Sequence, residues 1–281
     1  MKNYQDILFP YAYNILGSVD DAQDAIQDVV LKYTVNQPEV DNEKNYLIRG
    51  VINQSINIKK QKSRFQTGDG WLPEPVSTER SDLKLEMSEL VSYSMMFLLE
   101  KLNPKERAVF ILKEAFAYTH QEIGEVLSIT EENSRKLLSR AHKKVHDGHT
   151  LNEITANYDS KFKHLDKFVS AIRHKDMDSL QQLLAKDVAY YADGGGKVKV
   201  VAKHVIGVEK VSELIVWAFH TYQRNYTIKP HIINHQPALL FCFRDKVIGC
   251  HVYEFDDETG LITNMSVILD PAKTKNLKIS S

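Results

Sequence analysis

The sequence predicts a multidomain chain: two all-α domains followed by one α+β domain. Three observations predict it. Apolar residues recur at helical spacing through the first half of the chain. Residues 119–146 have the form of a helix-turn-helix. From about Tyr158 the pattern changes to helices and then strand-like runs joined by turns, which is an α+β order. A chain of 281 residues is long enough for two or three small domains.

Composition narrows the class. With 43% hydrophobic and 26% charged residues, a wholly disordered chain is excluded. Two cysteines cannot build a disulfide framework, so reduced thiols in an intracellular protein are expected. The segment MKNYQDILFPYAYNILG does not read as a signal peptide, and no apolar run approaches the ~20 residues of a membrane span, so no membrane partner is expected. No cofactor and no metal site is predicted. His231 and His235 on a strand do not converge with a third ligand.

The net charge of −1, from 36 Lys and Arg against 37 Asp and Glu, at first argues against a nucleic-acid partner. Its distribution argues otherwise. Residues 1–43 carry two cations and eight acids, whereas residues 44–64 carry six cations and no acid. Residues 132–146 carry five cations and Glu132 alone. Compact basic segments of this kind are footprints for a polyanion, although a solvated helix face gives the same pattern.

The elements follow in order. Residues 5–34 read as two helices broken at Gly17-Ser18, the second with Asp20 and Asp21 in its first turn. Its stripe is Ala22, Ala25, Ile26, Val29, Val30 and Tyr33; Gln23, Asp24, Gln27 and Asp28 lie opposite. Residues 44–64 form a third helix with Tyr46, Leu47, Val51, Ile52, Ile56 and Ile58 apolar, ending in a cationic run that also suits the helix dipole. Residues 66–81 read as a linker, in which the prolines of Trp71-Leu72-Pro73-Glu74-Pro75 enforce extended backbone and the Trp offers an apolar anchor. Helices follow at 83–101 and 105–115. Thr119 and Glu122 form a capping box before the helix-turn-helix. There Ile123, Val126, Leu127 and Ile129 face Leu137, Leu138, Ala141 and Val145, with Gly124 at the close approach. The opposite face of the second helix presents Arg135, Lys136, Ser139, Arg140 and Lys143, as a major-groove reading helix requires. Beyond Tyr158, helices are predicted at 159–184 and 207–223, and strands at 189–191, 197–204, 226–235, 238–243, 247–255 and 261–268. Cys242 and Cys250 fall on adjacent strands as core thiols.

These residues carry a resemblance. Ile15–Asp28 resembles region 2 of bacterial extracytoplasmic-function sigma factors, and Leu102–Phe110 with the helix-turn-helix resembles region 4. The chain is similar specifically to the subgroup with a C-terminal SnoaL-like extension. That subgroup's linker motif is present as Trp71-Leu72-Pro73-Glu74-Pro75, and its second motif as Asp193-Gly194-Gly195-Gly196-Lys197. Its third motif has the form Asn-Pro-Asp-Lys-Leu. Asp270-Pro271-Ala272-Lys273-Thr274 matches it at Pro271 and Lys273.

The resemblance implies a sigma factor working with core RNA polymerase on promoter DNA in the cytoplasm. Region 2 occupies 1–65, the linker 66–81, region 4 82–148 and a cone-shaped SnoaL-like regulatory domain 152–281. Asp24, Gln27 and Asp28 are the candidate polymerase contacts. Arg49, Lys59, Lys60, Lys62 and Arg64 are the candidate contacts to the −10 element, with Tyr46 and Phe65 as stacking surfaces. Arg135, Lys136, Ser139, Arg140 and Lys143 read the −35 element. The extension tunes activity in cis, its Asp193–Lys197 turn meeting the linker near Trp71 and the whole packing against regions 2 and 4. The cone leaves room for an unknown small-molecule ligand. Two alternatives stand beside this reading: a helix-turn-helix regulator with a small-molecule-binding domain, and an extension retaining enzymatic activity through Asp193, His204 or His220.

Overall fold

A computed structural model describes residues 4–63, 71–78, 89–145 and 158–278. The chain divides into two compact units, and the division does not follow chain order. The first unit comprises Met1–Thr67 with Ser81–Glu153, so the two helical domains expected separately form one unit. The second comprises Gly68–Arg80 with Ile154–Ser281, so the segment expected as a linker belongs to the C-terminal unit.

The first unit is built from α1 (Tyr4–Leu16), α2 (Val19–Asn36), α3 (Glu43–Ser63), α4 (Tyr93–Leu98), α5 (Pro104–Glu114), α6 (His120–Leu127) and α7 (Glu131–Val145). Each boundary has a local cause. Gly17 at φ +74° ends α1, and the Ser18 hydroxyl caps α2 by accepting from the Asp21 N–H. Asn103 and Thr119 each form a full capping box, with Glu106 and Glu122, at the starts of α5 and α6. The predicted stripe of α2 is buried at Ala22, Ala25, Ile26 and Val29, and partly at Val30 and Tyr33. Helices α1, α2 and α3 pack on one another, and α5 packs against α1, α3 and α7.

A polar cluster joins these helices inside the unit. Arg107 on α5 is fully buried and donates from Nε to the Asn14 carbonyl at 2.8 Å, with its Nη1 paired to Glu100. Lys59 on α3 reaches the same carboxylate at 2.7 Å and donates to the Leu16 carbonyl at 3.1 Å. Burial, with Arg107 nearby, lowers the Lys59 ammonium to about 8. Glu100 sits below its ordinary value: burial pushes it up, but Arg107 and Lys59 outweigh that.

The second unit is a six-stranded sheet with helices packed against it around one core. Helices α8 (Tyr158–His174) and α9 (Met177–Gln182) precede β1 (Leu184–Asp193) and β2 (His204–Ile206). Then come α10 (Val208–Ala218), a π turn over Phe219–Gln223, β3 (Thr227–Ile233), β4 (Gln236–Phe243), β5 (Lys246–Phe255), β6 (Ile262–Ile268) and the short α11 (Pro271–Thr274). The strand order is β2-β1-β6-β5-β4-β3, antiparallel except for the parallel β1–β6 pair. The predicted helix 159–184 is two helices, because Asp176 caps α9 by accepting from the Ser179 N–H. The predicted strand 197–204 is irregular up to Lys203 and pairs only from His204. Before His204, the Lys203 carbonyl accepts from the Ala192 N–H of β1 at 2.9 Å, but no regular ladder forms. Cys242 and Cys250 lie buried on β4 and β5, where burial raises both thiols. No helix among the described residues is long and apolar enough to cross a membrane.

Candidate functional site

Two groups of predicted residues are placed by these folds. The first is the cationic face of the helix-turn-helix. Ile123, Leu127, Leu137, Ala141 and Val145 are buried between α6 and α7, with Val126, Ile129 and Leu138 at the edge. Gly124 is required by the approach: a Cβ there would lie 2.7 Å from the Ile129 carbonyl oxygen. Ser134, which sequence reasoning passed over, is buried and shares a 2.9 Å hydrogen bond with His120 Nδ1, tying the two helices together. All five predicted residues, Arg135, Lys136, Ser139, Arg140 and Lys143, are exposed. Arg135 and Lys136 make i,i+4 pairs with Glu131 and Glu132, which hold each cation weakly and leave it available. His142 pairs instead with Glu114 across from α5 at 3.1 Å.

The region 2 cations divide. Arg49, Lys60 and Lys62 are exposed, and Arg64 and Phe65 lie outside the described residues. Arg49 donates to Ser128 Oγ at 3.1 Å and Asn53 to the Val126 carbonyl at 3.0 Å, so α3 touches the turn of the helix-turn-helix. Lys62 pairs with Asp21 at 2.6 Å. Lys59 corrects its prediction as a phosphate contact. It is 8% exposed and held by Glu100, and a buried, paired ammonium cannot reach a phosphate in this arrangement. Tyr46 is 43% exposed, its ring centroid 5.7 Å from that of Tyr33.

Asp24, Gln27 and Asp28 are all exposed on α2. Leu31 and Val35 continue their row at helical spacing and are 63% and 72% exposed. Sequence reasoning did not place these two in that row, although large apolar residues on the polar side of an amphipathic helix were the available signal.

The second group is a clasp within the C-terminal unit. All five residues Trp71–Pro75 are held, with Leu72, Pro73, Glu74 and Pro75 buried. The Leu72 N–H donates to Asp193 Oδ2 at 2.9 Å. Lys273 Nζ donates to the same oxygen at 2.6 Å and to the Leu72 carbonyl, and it sits 4.3 Å from the centre of the Trp71 ring. Asn276 donates to Glu74 Oε1 at 3.1 Å. Further along, Val76 donates to Asn234 Oδ1, Thr78 donates to the Ile232 carbonyl, and Ser77 shares a 2.8 Å hydrogen bond with His231. The segment thus adds a short antiparallel bridge beside β3.

Asp193 is the hub. Its Oδ1 accepts from the Gly195 N–H at 2.8 Å. Burial alone would raise its carboxyl, but the Leu72 N–H, Lys273 and the Gly195 N–H together hold it below the ordinary carboxylate range. The glycines serve the turn: Gly195 and Gly196 have φ of +61° and +72°, and a Cβ on Gly195 would come within 2.1 Å of the Asp270 carboxylate. A Cβ on Gly194 would meet the Val198 carbonyl. Lys197 corrects its prediction as a linker contact. It is exposed, and the cation that meets the linker is Lys273 from the tail motif. Asp270 caps α11 by accepting from the Ala272 N–H, and Pro271 fills its first position.

The three residues weighed as acid–base groups do not share a site. Asp193 is committed to Lys273, His204 stacks on Tyr191 with centroids 4.4 Å apart, and His220 Nε2 is 3.0 Å from the Ile172 carbonyl. None of them lines the cavity of the sheet.

Comparison with known proteins places these features. The family described as Sigma-70, region 4, matches residues 93–145. The ECF RNA polymerase sigma factor SigJ of Mycobacterium tuberculosis is 29% identical over 222 residues, which cover 76% of this chain and 70% of that protein. The probable ECF RNA polymerase sigma factor SigI of the same species is 24% identical over 288 residues, 99% of this chain and 94% of that protein. The crystal structure of SigJ from Mycobacterium tuberculosis has a TM-score of 0.74 at 23% identity, covering 96% of this chain and 95% of that one, so both units share its fold.

Proposed function

We propose that this chain, an extracytoplasmic-function sigma factor with a C-terminal SnoaL-like extension, directs core RNA polymerase to promoters in the cytoplasm and is tuned in cis by the grip of that extension on its linker. The observation that carries the sigma-factor reading is the presence of two separate exposed surfaces of opposite character. The row Asp24, Gln27, Asp28, Leu31 and Val35 on α2 is acidic and apolar, suited to a protein partner. The face Arg135, Lys136, Ser139, Arg140 and Lys143 on α7 is cationic and suited to a major groove. A duplex-binding repressor needs only the second. Exposed Arg49, Lys60 and Lys62 suit the phosphates of the −10 element, with Tyr46, one turn before Arg49 on α3, as a stacking surface.

The tuning rests on the clasp. Region 2 and region 4 are joined by the chain that Asp193 and Lys273 hold at Leu72, so gripping or releasing it changes the length of free tether between them. Regulation suits the extension better than catalysis, because its buried carboxylate is spent on the linker.

Run-off transcription with purified core polymerase tests this. The full chain co-purifies with core enzyme and yields a promoter-specific transcript, and a chain ending near residue 150 yields a different amount. No transcript and no co-purification would overturn the sigma-factor reading. Equal transcript from both chains would overturn the tuning.

A further inference from the structure

The cavity inside the cone of the C-terminal unit has the features of a ligand site. Its outer chamber holds about 710 Å³, within the range of small-molecule pockets. The wall is mainly apolar and aromatic, and five of its side chains are exposed large hydrophobics: Val198, Val201, Trp217, Tyr222 and Ile248. That is half of such residues among those described, gathered around one opening. A smaller inner chamber of about 30 Å³ adjoins it, and the two share Tyr190, Ala218 and Gln223 in their walls.

The inner chamber contains the second observation. His251 and Tyr253, both on β5, line it, and both are buried. His251 Nε2 and the Tyr253 hydroxyl have no hydrogen-bond partner among the described residues. Buried polar atoms left unpaired cost on the order of 1–3 kcal/mol each, so two of them on side chains that line one small space call for an occupant. Burial lowers His251 to about 3 and raises the Tyr253 hydroxyl, so both are neutral at pH 7. With no charged side chain lining the inner chamber, an ionic head group would be stranded there. A single hydroxyl or carbonyl oxygen fits its size, with the apolar body lying in the outer chamber.

We propose that this cavity binds a neutral, largely apolar small molecule bearing one hydroxyl or carbonyl, anchored at its inner end by Tyr253 and His251. The outer wall also includes Pro271 and Thr274, which flank Lys273 on α11. Ligand and linker therefore bear on the same turn of backbone. This proposal concerns the cavity alone and stands whether or not the linker grip tunes transcription.

Calorimetric titration of the full chain with 2-naphthol and with naphthalene tests it. The expected result is saturable 1:1 binding of 2-naphthol, roughly tenfold tighter than naphthalene, the size of one buried hydrogen bond. Y253F brings the two probes level. A218F, which fills the junction of the chambers, abolishes binding of both, and circular dichroism checks that each variant is folded. Absence of saturable binding, or binding that A218F leaves unchanged, overturns the site. A naphthol preference that survives both Y253F and H251L overturns the anchor and leaves the inner chamber to water alone.

Discussion

Lys273→Met isolates the ammonium that holds the linker, because methionine keeps most of the apolar stem. In the native clasp the ammonium is 2.6 Å from Asp193 Oδ2, and the two side chains are only 11% and 9% exposed. Removing one member of a buried ion pair costs on the order of 3–5 kcal/mol, because the other charge stays buried. Here the Leu72 and Gly195 N–H groups still accompany Asp193, so the lower end of that range applies. The lost contact with the Trp71 ring adds about 0.5–2 kcal/mol. Burial of Leu72, fully enclosed, opposes release by about 2 kcal/mol and is untouched by the change.

A loss of roughly 3.5–5 kcal/mol raises the locally open population about 300-fold or more. Amide hydrogen exchange at pH 7 reads it residue by residue. The Leu72 amide, bonded to Asp193, should exchange about 300-fold faster or more in K273M. The Thr78 amide, bonded to the Ile232 carbonyl, should change little, and Val252 in the centre of β5 should not change. Leu72 exchange within threefold of wild type would refute the clasp. Equal acceleration at Leu72, Thr78 and Val252 would show a domain-wide effect and refute its local character.

Asp193 titrates below its ordinary value of 3.8, so the folded unit binds fewer protons than the unfolded chain; Leu72 amide protection should be constant from pH 7 to 5, fall as pH drops below about 4, and show no such fall in D193N. Lys59 titrates near 8 when folded against 10.5 when free, so the unfolded chain binds more protons between these values; denaturant stability of the first unit should rise with pH across that window, and K59M should lack the rise. G195A meets the Asp270 carboxylate at positive φ, whereas G196A meets nothing within 4 Å, so thermal unfolding should show G195A costing more than the ~1 kcal/mol of backbone strain expected for G196A. R135A should lower −35 promoter affinity by about 1–3 kcal/mol at fixed salt in an anisotropy titration while leaving thermal stability within ~0.5 kcal/mol, because the side chain is exposed.

Much of this was legible in the sequence because its causes are local. The α2 stripe, the Thr119–Glu122 capping box and the exposed cations of α7 follow from helical spacing and end chemistry alone. Lys59 was misread because a run of cations at a helix end looks uniform in sequence. The helical period separates it, since Ile52, Ile56 and Lys59 fall on the buried face while Lys60 and Lys62 do not. What the period could not supply is Glu100, 41 residues away, which makes burying that ammonium tolerable. The same holds for His251 and Tyr253. Alternation puts them on one face of β5, but the chamber on that face is closed by residues of α8 and α10 that are distant in sequence.

The tail motif shows how a departure from a family pattern is weighed by contact rather than by letter count. Asp270 stands where the pattern has Asn, yet either side chain can accept the N–H that caps a helix, and Asp270 does so from Ala272. Pro271 sets the first turn, and Lys273 reaches Leu72 and Asp193. The chemistry of the clasp therefore survives in full at the positions that touch it. Thr274 in place of Leu changes a different surface: it lines the outer chamber of the cavity, where a smaller and more polar side chain enlarges and wets the wall. The divergence at that position thus bears on what the cavity holds, while the hold on the linker stays with Lys273, 201 residues along the chain from the Leu72 it grips.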